Sequence, residues 1–224
     1  MNFGDRYLQI TYGDKPYTNY PHRLAFEVCR RLNPNGSALK ILDLGAGRGE
    51  LSVAFANLGH EVVAVDQAGP TIGVEKFKFV RVDLCSPLPK SVGSGFDLIF
   101  SKSVVEHFYY PEKVLVNAQE LLKPGGMMVT LTPSWIHNKN MFFDDFTHRT
   151  PFSNQSLEEI HRYVGLSEVK SEFFVQLPFT WKSKFVRDLV MLVGRLVPSK
   201  LKPMAKFFRF SKEVMLFCTA TKLN

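Results

Sequence analysis

Cysteine is scarce in this chain, and the three present, Cys29, Cys85 and Cys218, form no Cys-x-x-Cys pair. Their odd count and wide spacing exclude a zinc ribbon and a disulfide framework, so all three are expected as reduced, mostly buried thiols. A bilayer-spanning segment is also missing: the apolar run from Leu189 to Val193 ends at Gly194-Arg195, well short of the ~20 residues a transmembrane helix needs. The opening residues, Met1-Asn2-Phe3-Gly4-Asp5-Arg6, carry an acid and no apolar stretch, so no secretory or transit leader is expected and a cytoplasmic location is. There is no internal repeat, no low-complexity tract and no linker long enough to divide the chain. With 224 residues, 45% of them hydrophobic, one substantial core over residues 1–224 is expected. Acidic residues are nearly absent from one segment: residues 181 to 212 hold nine Lys/Arg against the single acid Asp188, while the rest of the chain is close to neutral.

What is there begins with Ile41-Leu42-Asp43-Leu44-Gly45-Ala46-Gly47-Arg48-Gly49-Glu50, an apolar strand running into alternating glycines and then a helix. Glycines in that position accept dihedrals closed to other residues and let a ligand lie on the peptide plane. Twenty-one residues beyond Gly45, the run Glu61-Val62-Val63-Ala64-Val65-Asp66 reads as a second strand ending in a carboxylate suited to two ribose hydroxyls. A nicotinamide loop wants Gly-x-Gly-x-x-Gly, whereas the extra glycine here falls one residue early, at Gly49. Asp43 at the strand end adds negative charge that suits a cationic ligand rather than a pyrophosphate.

Asp43 to Gly49 resembles the Asp/Glu-x-Gly-x-Gly-x-Gly motif of the class I methyltransferases, whose cofactor is the sulfonium S-adenosyl-L-methionine. The similarity continues in order through Asp66, Asp83-Leu84, the strand Phe96-Asp97-Leu98-Ile99-Phe100-Ser101 and Leu121-Leu122-Lys123-Pro124-Gly125-Gly126, covering residues 20 to 175. The resemblance implies that Asp43 and the Gly45, Ala46 and Gly47 backbone hold the methionyl part, that Asp66, with Gln67 beside it, meets the ribose, that Asp83 meets the adenine amino group, that the Leu84 amide contacts the ring edge, and that backbone near Ser101 fixes the amino acid end. A strand-end cap for Asp43 and a turn role for Asp83 are the alternatives.

Apolar runs predict strands at 39–44, 61–66, 77–82, 96–100, 127–132, 167–176 and 214–220. Helices are predicted from Asn19-x-Pro21, from Pro111 to the stop at Lys123-Pro124-Gly125-Gly126, and from a capping box Ser156-x-x-Glu159 to Gly165. The alternation demands a doubly wound, Rossmann-like α/β domain with a mostly parallel sheet, and the family pattern makes the seventh and last strand antiparallel. Two insertions depart from a minimal fold, a substrate loop at 133–152 and a basic amphipathic segment at 177–211. Because ligands bind at the carboxyl ends of strands in such sheets, the first should roof the methyl group.

Methyl transfer needs alignment, a dry site and, for a hydroxyl acceptor, a base near neutral pKa. His107, in Ser103-Val104-Val105-Glu106-His107-Phe108, and His148, in Asp144-Asp145-Phe146-Thr147-His148, are the candidates. The Asp-Asp-x-Thr-His run followed by Pro151-Phe152 resembles a loop in bacterial methyltransferases of polysaccharide and other glycoconjugate pathways, which implies a small-molecule or glycan acceptor, a lipid-linked saccharide included. His148 is expected to take the acceptor proton with Asp144 or Asp145 orienting it; a loop-pinning role is the alternative. Glu106, His107 and His148 could also ligate a divalent ion, as Glu-x-x-Glu-His does in some ubiquinone-pathway O-methyltransferases, but Ser103 replaces the first glutamate and a loop geometry is required, so no metal is expected. Trp135, Phe143 and Phe146 offer aromatic surface for an acceptor or for packing.

Residues 184 to 197 read as an amphipathic helix, expected to pack over the acceptor cleft, with 182–209 a candidate contact for an anionic membrane surface. RNA methylation is the competing enzymatic reading, disfavoured because the basic residues cluster late and Ser101-Lys102-Ser103-Val104 differs from Asn/Asp-Pro-Pro-Tyr. A cofactor-binding partner subunit without turnover is the non-enzymatic one.

Overall fold

The computed structural model describes residues 3–13, 15–196, 211 and 213–223. Seven strands form one sheet in the order β3-β2-β1-β4-β5-β7-β6: β1 (Lys40–Leu44), β2 (Glu61–Asp66), β3 (Lys78–Arg81), β4 (Phe96–Lys102), β5 (Leu122–Pro133), β6 (Ser167–Val175) and β7 (Val214–Thr221). The pairs among β1 to β5 are parallel, and β7 runs antiparallel to both neighbours, β5 and β6. The expected doubly wound sheet with an antiparallel last strand is therefore present.

The helices are α1 (Phe3–Tyr12), α2 (Tyr20–Leu32), α3 (Glu50–Asn57), α4 (Pro111–Gln119), a single turn α5 (Trp135–Asn138), α6 (Asn154–Tyr163) and α7 (Lys184–Leu196). Strand periodicity divides the core between the two faces of the sheet. Ile41 joins Leu24, Val28 and Phe55 on the face covered by α2 and α3, while Leu42 and Leu44 join Val114, Leu115 and Leu157 on the face covered by α4 and α6. Both faces of β1 are thus dry beyond its first residue, Lys40, which explains why the sequence from Ile41 to Leu44 is apolar apart from Asp43.

Four expectations change. Helix α1 was not anticipated, and it reaches the site described below. Helix α6 starts three residues earlier than the Ser156 box implied: Ser153 is the N-cap, its hydroxyl accepts from the Ser156 amide at 3.1 Å, and Ser156 Oγ accepts from the Ser153 amide at 2.9 Å. Glu159 instead accepts from Gln155 Nε2. The Lys123-Pro124-Gly125-Gly126 segment does not precede β5 but lies within it as an irregularity: Phe96 pairs with Leu122, the register then shifts, and Leu98 pairs with Met127 around Gly125 at φ +73°. Finally, α7 forms as an amphipathic helix but does not line the cleft; Val190 packs on Val175 and Val214 at the edge of the sheet. Residues 197 to 210, which carry much of the membrane expectation, lie outside the described residues. Among the described residues no helix is long and apolar enough to cross a membrane.

Candidate active site

The carboxyl ends of β1, β2 and β4 and the turn after β3 open onto one cavity of about 550 Å³. The glycine loop forms its floor. Gly45 (φ +77°) and Gly47 (φ +54°) adopt left-handed backbone, and a Cβ on Gly45 would overlap the Val104 side chain, so β1 can turn this closely beneath the loop after β4 only with hydrogen at that position. Above Gly47 the space is open, with Leu8 Cδ2 the nearest atom at 3.9 Å from where a Cβ would stand. A ligand can therefore rest on that peptide. Asp66 closes the end of the floor: Oδ2 accepts the Gly47 amide and Oδ1 the Ala68 amide, each at 2.8 Å. One carboxylate thus fixes the loop after β1 to the loop after β2 while still facing the cavity.

Gln67, Asp83 and Leu84 line the same wall, as do Ala46 and Gly47. Asp83 also caps its own turn, accepting the Cys85 amide and the Ser86 hydroxyl at 3.0 Å, while it lines the cavity. Asp43 and Ser101 are placed differently. Neither lines the cavity; both are buried one layer behind it. Ser52 Oγ donates to Asp43 Oδ2 at 2.6 Å, and burial, with Asp66 adding repulsion against that hydrogen bond, pushes the Asp43 carboxyl up to about 7. Ser101 is the residue from which β4 presents Lys102 and Ser103 to the cavity. Ser103 holds φ +56°, one of two non-glycine residues with positive φ among those described, the kind of backbone strain that persists where surrounding structure enforces it.

The histidines meet at the opposite wall. His107 ends a single 3-10 turn, Val105–His107, and lines the cavity; His148 stands behind it with ring centroids 4.8 Å apart. Their hydrogen bonds fix their protons. Thr147 Oγ1 donates to Asp145 Oδ1 at 2.5 Å, so its oxygen must accept from His107 Nδ1 at 2.8 Å, which leaves the Nε2 lone pair unused. His148 Nδ1 faces the Phe142 carbonyl at 2.5 Å, an acceptor only, so neutral His148 likewise keeps its lone pair on Nε2. The expected Asp145–His148 contact is thus replaced: Asp145 orients His107 through Thr147, and a main-chain carbonyl orients His148. Burial, then the neighbouring His148 charge, lowers His107 to about 4.

Glu106, beside them, is fully buried. Its Oε2 accepts from Thr132 Oγ1 at 3.0 Å, Oε1 has no hydrogen-bond partner, and burial pushes the carboxyl up to about 7. Its carbonyl accepts the Arg149 and Thr150 amides at 2.7 and 3.0 Å, clamping the loop that carries His148. One ligand-capable atom from each of Glu106, His107 and His148 lies within 4.8 Å of the others. The 3-10 turn supplies the loop geometry that adjacent helical residues could not.

Trp135, Phe143 and Phe146 do not line the cavity. Trp135 packs edge-on against Phe142 and Phe143, while Phe143 and Phe146 are 60% and 65% exposed. The fourth wall is instead α1, where Gly4, Tyr7, Leu8 and Tyr12 face the cavity. Tyr7 Oη donates to Asp145 Oδ2 at 2.8 Å and Asp5 accepts the Gly69 amide at 3.0 Å, so the helix bridges both rims. The sequence did carry a signal, the helical spacing 4, 7, 8, 12. It is obscured because these residues face a ligand space rather than core and because the apolar Phe3 and Ile10 on the same helix are 66% and 75% exposed. Lys102 also lines the cavity, its ammonium pKa lowered by burial, and nothing in its sequence spacing marks it.

Comparison with known proteins agrees with this geometry. Residues 17–171 match the family described as a methyltransferase domain. A ubiquinone biosynthesis O-methyltransferase of Cereibacter sphaeroides is 37% identical over 181 residues, covering 67% of this chain and 70% of the relative. The enzyme of the same name from Roseobacter denitrificans is 28% identical over 191 residues, 74% of each chain. Among solved structures, a SAM-dependent methyltransferase from Archaeoglobus fulgidus superposes with a TM-score of 0.63 at 23% identity, over 97% of this chain and 100% of that one. The 1,6-didemethyltoxoflavin-N1-methyltransferase of Burkholderia thailandensis, with its substrate and S-adenosylhomocysteine bound, gives 0.63 at 18% identity over 99% and 84%. These two share the fold. A sheet whose strand ends surround a side-chain-free glycine floor, and a family match spanning most of its length, make this chain a member of the methyltransferase-domain family, a class I enzyme that uses S-adenosylmethionine.

Proposed function

We propose that the enzyme methylates a hydroxyl group of a small-molecule acceptor bound against Glu106, His107 and His148. The carrying observation is the pair of imidazoles whose Nδ1 protons are both committed, one to Thr147 and one to the Phe142 carbonyl, leaving a basic lone pair on His107 at the cavity wall. The names of the 37% identical relatives, O-methyltransferases of ubiquinone biosynthesis, support an oxygen acceptor.

S-adenosylmethionine supplies an electrophilic methyl group that a lone pair can displace in line. The residues of this chain do the rest. The Gly45–Gly47 backbone leaves room for the cofactor to lie on it, Asp66 can accept ribose hydroxyls, and Asp83 and the Leu84 amide would hold the adenine. Asp43 contributes charge rather than contact, because a cation above the loop favours its ionised form. His107 Nε2 accepts the acceptor proton, Asp145 holds the ring in the required tautomer through Thr147, and α1 excludes water from above.

His107→Gln is expected to lower turnover by about 100-fold or more while S-adenosylmethionine binds with unchanged affinity in calorimetry. Unchanged turnover would remove His107 from the chemistry.

A second reading follows from the buried, unpartnered Glu106 Oε1. Together with two imidazole lone pairs it makes a mixed oxygen and nitrogen donor set that fits a divalent cation, and ring protons held by outer acceptors are the usual support of such ligands. A bound cation would acidify the acceptor hydroxyl. In that case activity falls on chelation and returns with added metal; activity that survives extensive chelation leaves the proton-acceptor reading standing alone.

A further inference from the structure

Helix α7 is seated by one face and bare on the other. Its packed face is Val190, buried with Val175 and Val214, and Gly194, so close to Ser211 that a Cβ would collide with the Ser211 carbonyl. The opposite face carries Phe185, Leu189, Leu192 and Leu196, exposed by 77%, 49%, 53% and 76%. That spacing of i, i+4, i+7 and i+11 makes one continuous apolar stripe along the helix.

The stripe has a cationic border. Lys184 and Arg195 are exposed along its flank and Lys182 on the turn before it. Asp188, the single acid between residues 181 and 212, pairs with Arg187 at 3.0 Å. The sequence onward to 212 adds five more basic residues and no acid. Phe179, 56% exposed, extends the apolar surface at the start of the segment.

Charge selects among the surfaces that could cover such a stripe. A second copy would bring the same cations face to face, whereas a bilayer with anionic headgroups accepts the apolar side chains and the basic border together. We propose that α7 docks in the plane of an anionic lipid surface, with Phe185, Leu189, Leu192 and Leu196 at the headgroup–acyl boundary and Lys182, Lys184 and Arg195 among the phosphates. Val175 ends β6 and Val214 begins β7, at the same end of the sheet as Leu44 and Asp66. The docked helix and the cavity therefore share one end of the molecule. Docking of this kind is independent of which acceptor is methylated.

Sedimentation of the full chain with phosphatidylcholine vesicles, and with vesicles of phosphatidylcholine and phosphatidylglycerol in equal parts, tests this. The protein is expected to pellet with the mixed vesicles only, and raised salt to weaken binding on the order of tenfold. The double variants Lys182→Glu/Lys184→Glu and Leu189→Ser/Leu192→Ser should each weaken binding by at least about tenfold, with cofactor affinity and thermal midpoint as in the wild type. Phe185→Trp, at an exposed site, gives a second readout: its added emission should shift to the blue on mixed vesicles and not on neutral ones. No pelleting at low salt, an unshifted Phe185→Trp emission, or wild-type pelleting by the stripe variant would each overturn the proposal. So would self-association in gel filtration that the stripe variant abolishes, which would assign the stripe to a second copy.

Discussion

The hydroxyl of Tyr7 and the carboxylate of Asp145, 138 residues apart in sequence, are joined by a 2.8 Å hydrogen bond across the cavity mouth. Asp145 takes the Thr147 hydroxyl on its other oxygen, and Thr147 takes the His107 Nδ1 proton. Burial opposes charge on Asp145, but the bonds from Thr147 and Tyr7 and the nearby His148 outweigh it and hold the carboxyl below its ordinary value. One ionised group therefore anchors the first helix and sets the ring on the cavity wall.

Tyr7→Phe removes a hydrogen bond to a charged acceptor, an interaction worth about 1.5–3 kcal/mol. Cofactor affinity and turnover should both fall, by about tenfold, because α1 loses its hold on the rim. Calorimetric titration and steady-state rates measure this, and a variant indistinguishable from wild type would reduce α1 to a passive cover.

His107 lies at about 4 because burial disfavours its charge. A proton acceptor must be neutral, so turnover per folded molecule should hold steady from neutral pH downward and decline only as pH falls through about 4, not near the ordinary histidine value. A rate profile with circular dichroism recorded at each pH checks this, and His107→Gln should abolish that limb.

Gly45→Ala places a Cβ where the Val104 side chain already is, on backbone at φ +77°. Loss of cofactor binding is expected together with destabilisation of about 1–3 kcal/mol. Adding Val104→Ala should restore part of the stability, and strictly additive effects in urea unfolding would count against steric coupling.

His161 is fully buried, with Nδ1 on the Leu157 carbonyl and Nε2 on Thr130 Oγ1, and burial lowers it to about 4. The unfolded chain binds this proton at the ordinary value of 6.5, so stability is complete above that pH and declines as pH falls towards about 4, by a total on the order of 3 kcal/mol. Urea midpoints through this window should show the slope, and His161→Phe should flatten it.

Asp43 has the opposite sign. Its carboxyl is raised to about 7, so its contribution is complete below the ordinary 3.8 and is lost as pH rises through 7. Asp43→Asn should therefore stabilise the ligand-free protein at pH about 8, by on the order of 2–4 kcal/mol, and by much less in acid. Equal gains at both pH values would show that the charge is not the cause.

Sequence revealed what burial imposes and missed what a ligand space imposes. Strand β2 was legible to the residue, because a strand dry on both faces must be apolar between its ends, and charges stand at both ends, Glu61 and Asp66. The glycine floor was legible because Gly45 and Gly47 hold dihedrals that few other residues take. Helix α1 was not, since Gly4, Tyr7, Leu8 and Tyr12 face a cavity and leave no conventional apolar stripe. The start of α6 was misplaced because Ser153 and Ser156 both suit a cap, and only reciprocal bonding distinguishes them. His107 and His148 were found by type. Their order at the wall depends on Thr147 and on the Phe142 carbonyl, which no spacing in the sequence encodes.

Strand β7 enters the sheet between β5 and β6. During synthesis β6 therefore has no hydrogen-bonding neighbour until residues 214 to 221 have emerged, some forty positions later, and the growing chain must carry a solitary edge in the meantime. Any truncation that removes those last residues would divide the sheet in two rather than trim its margin.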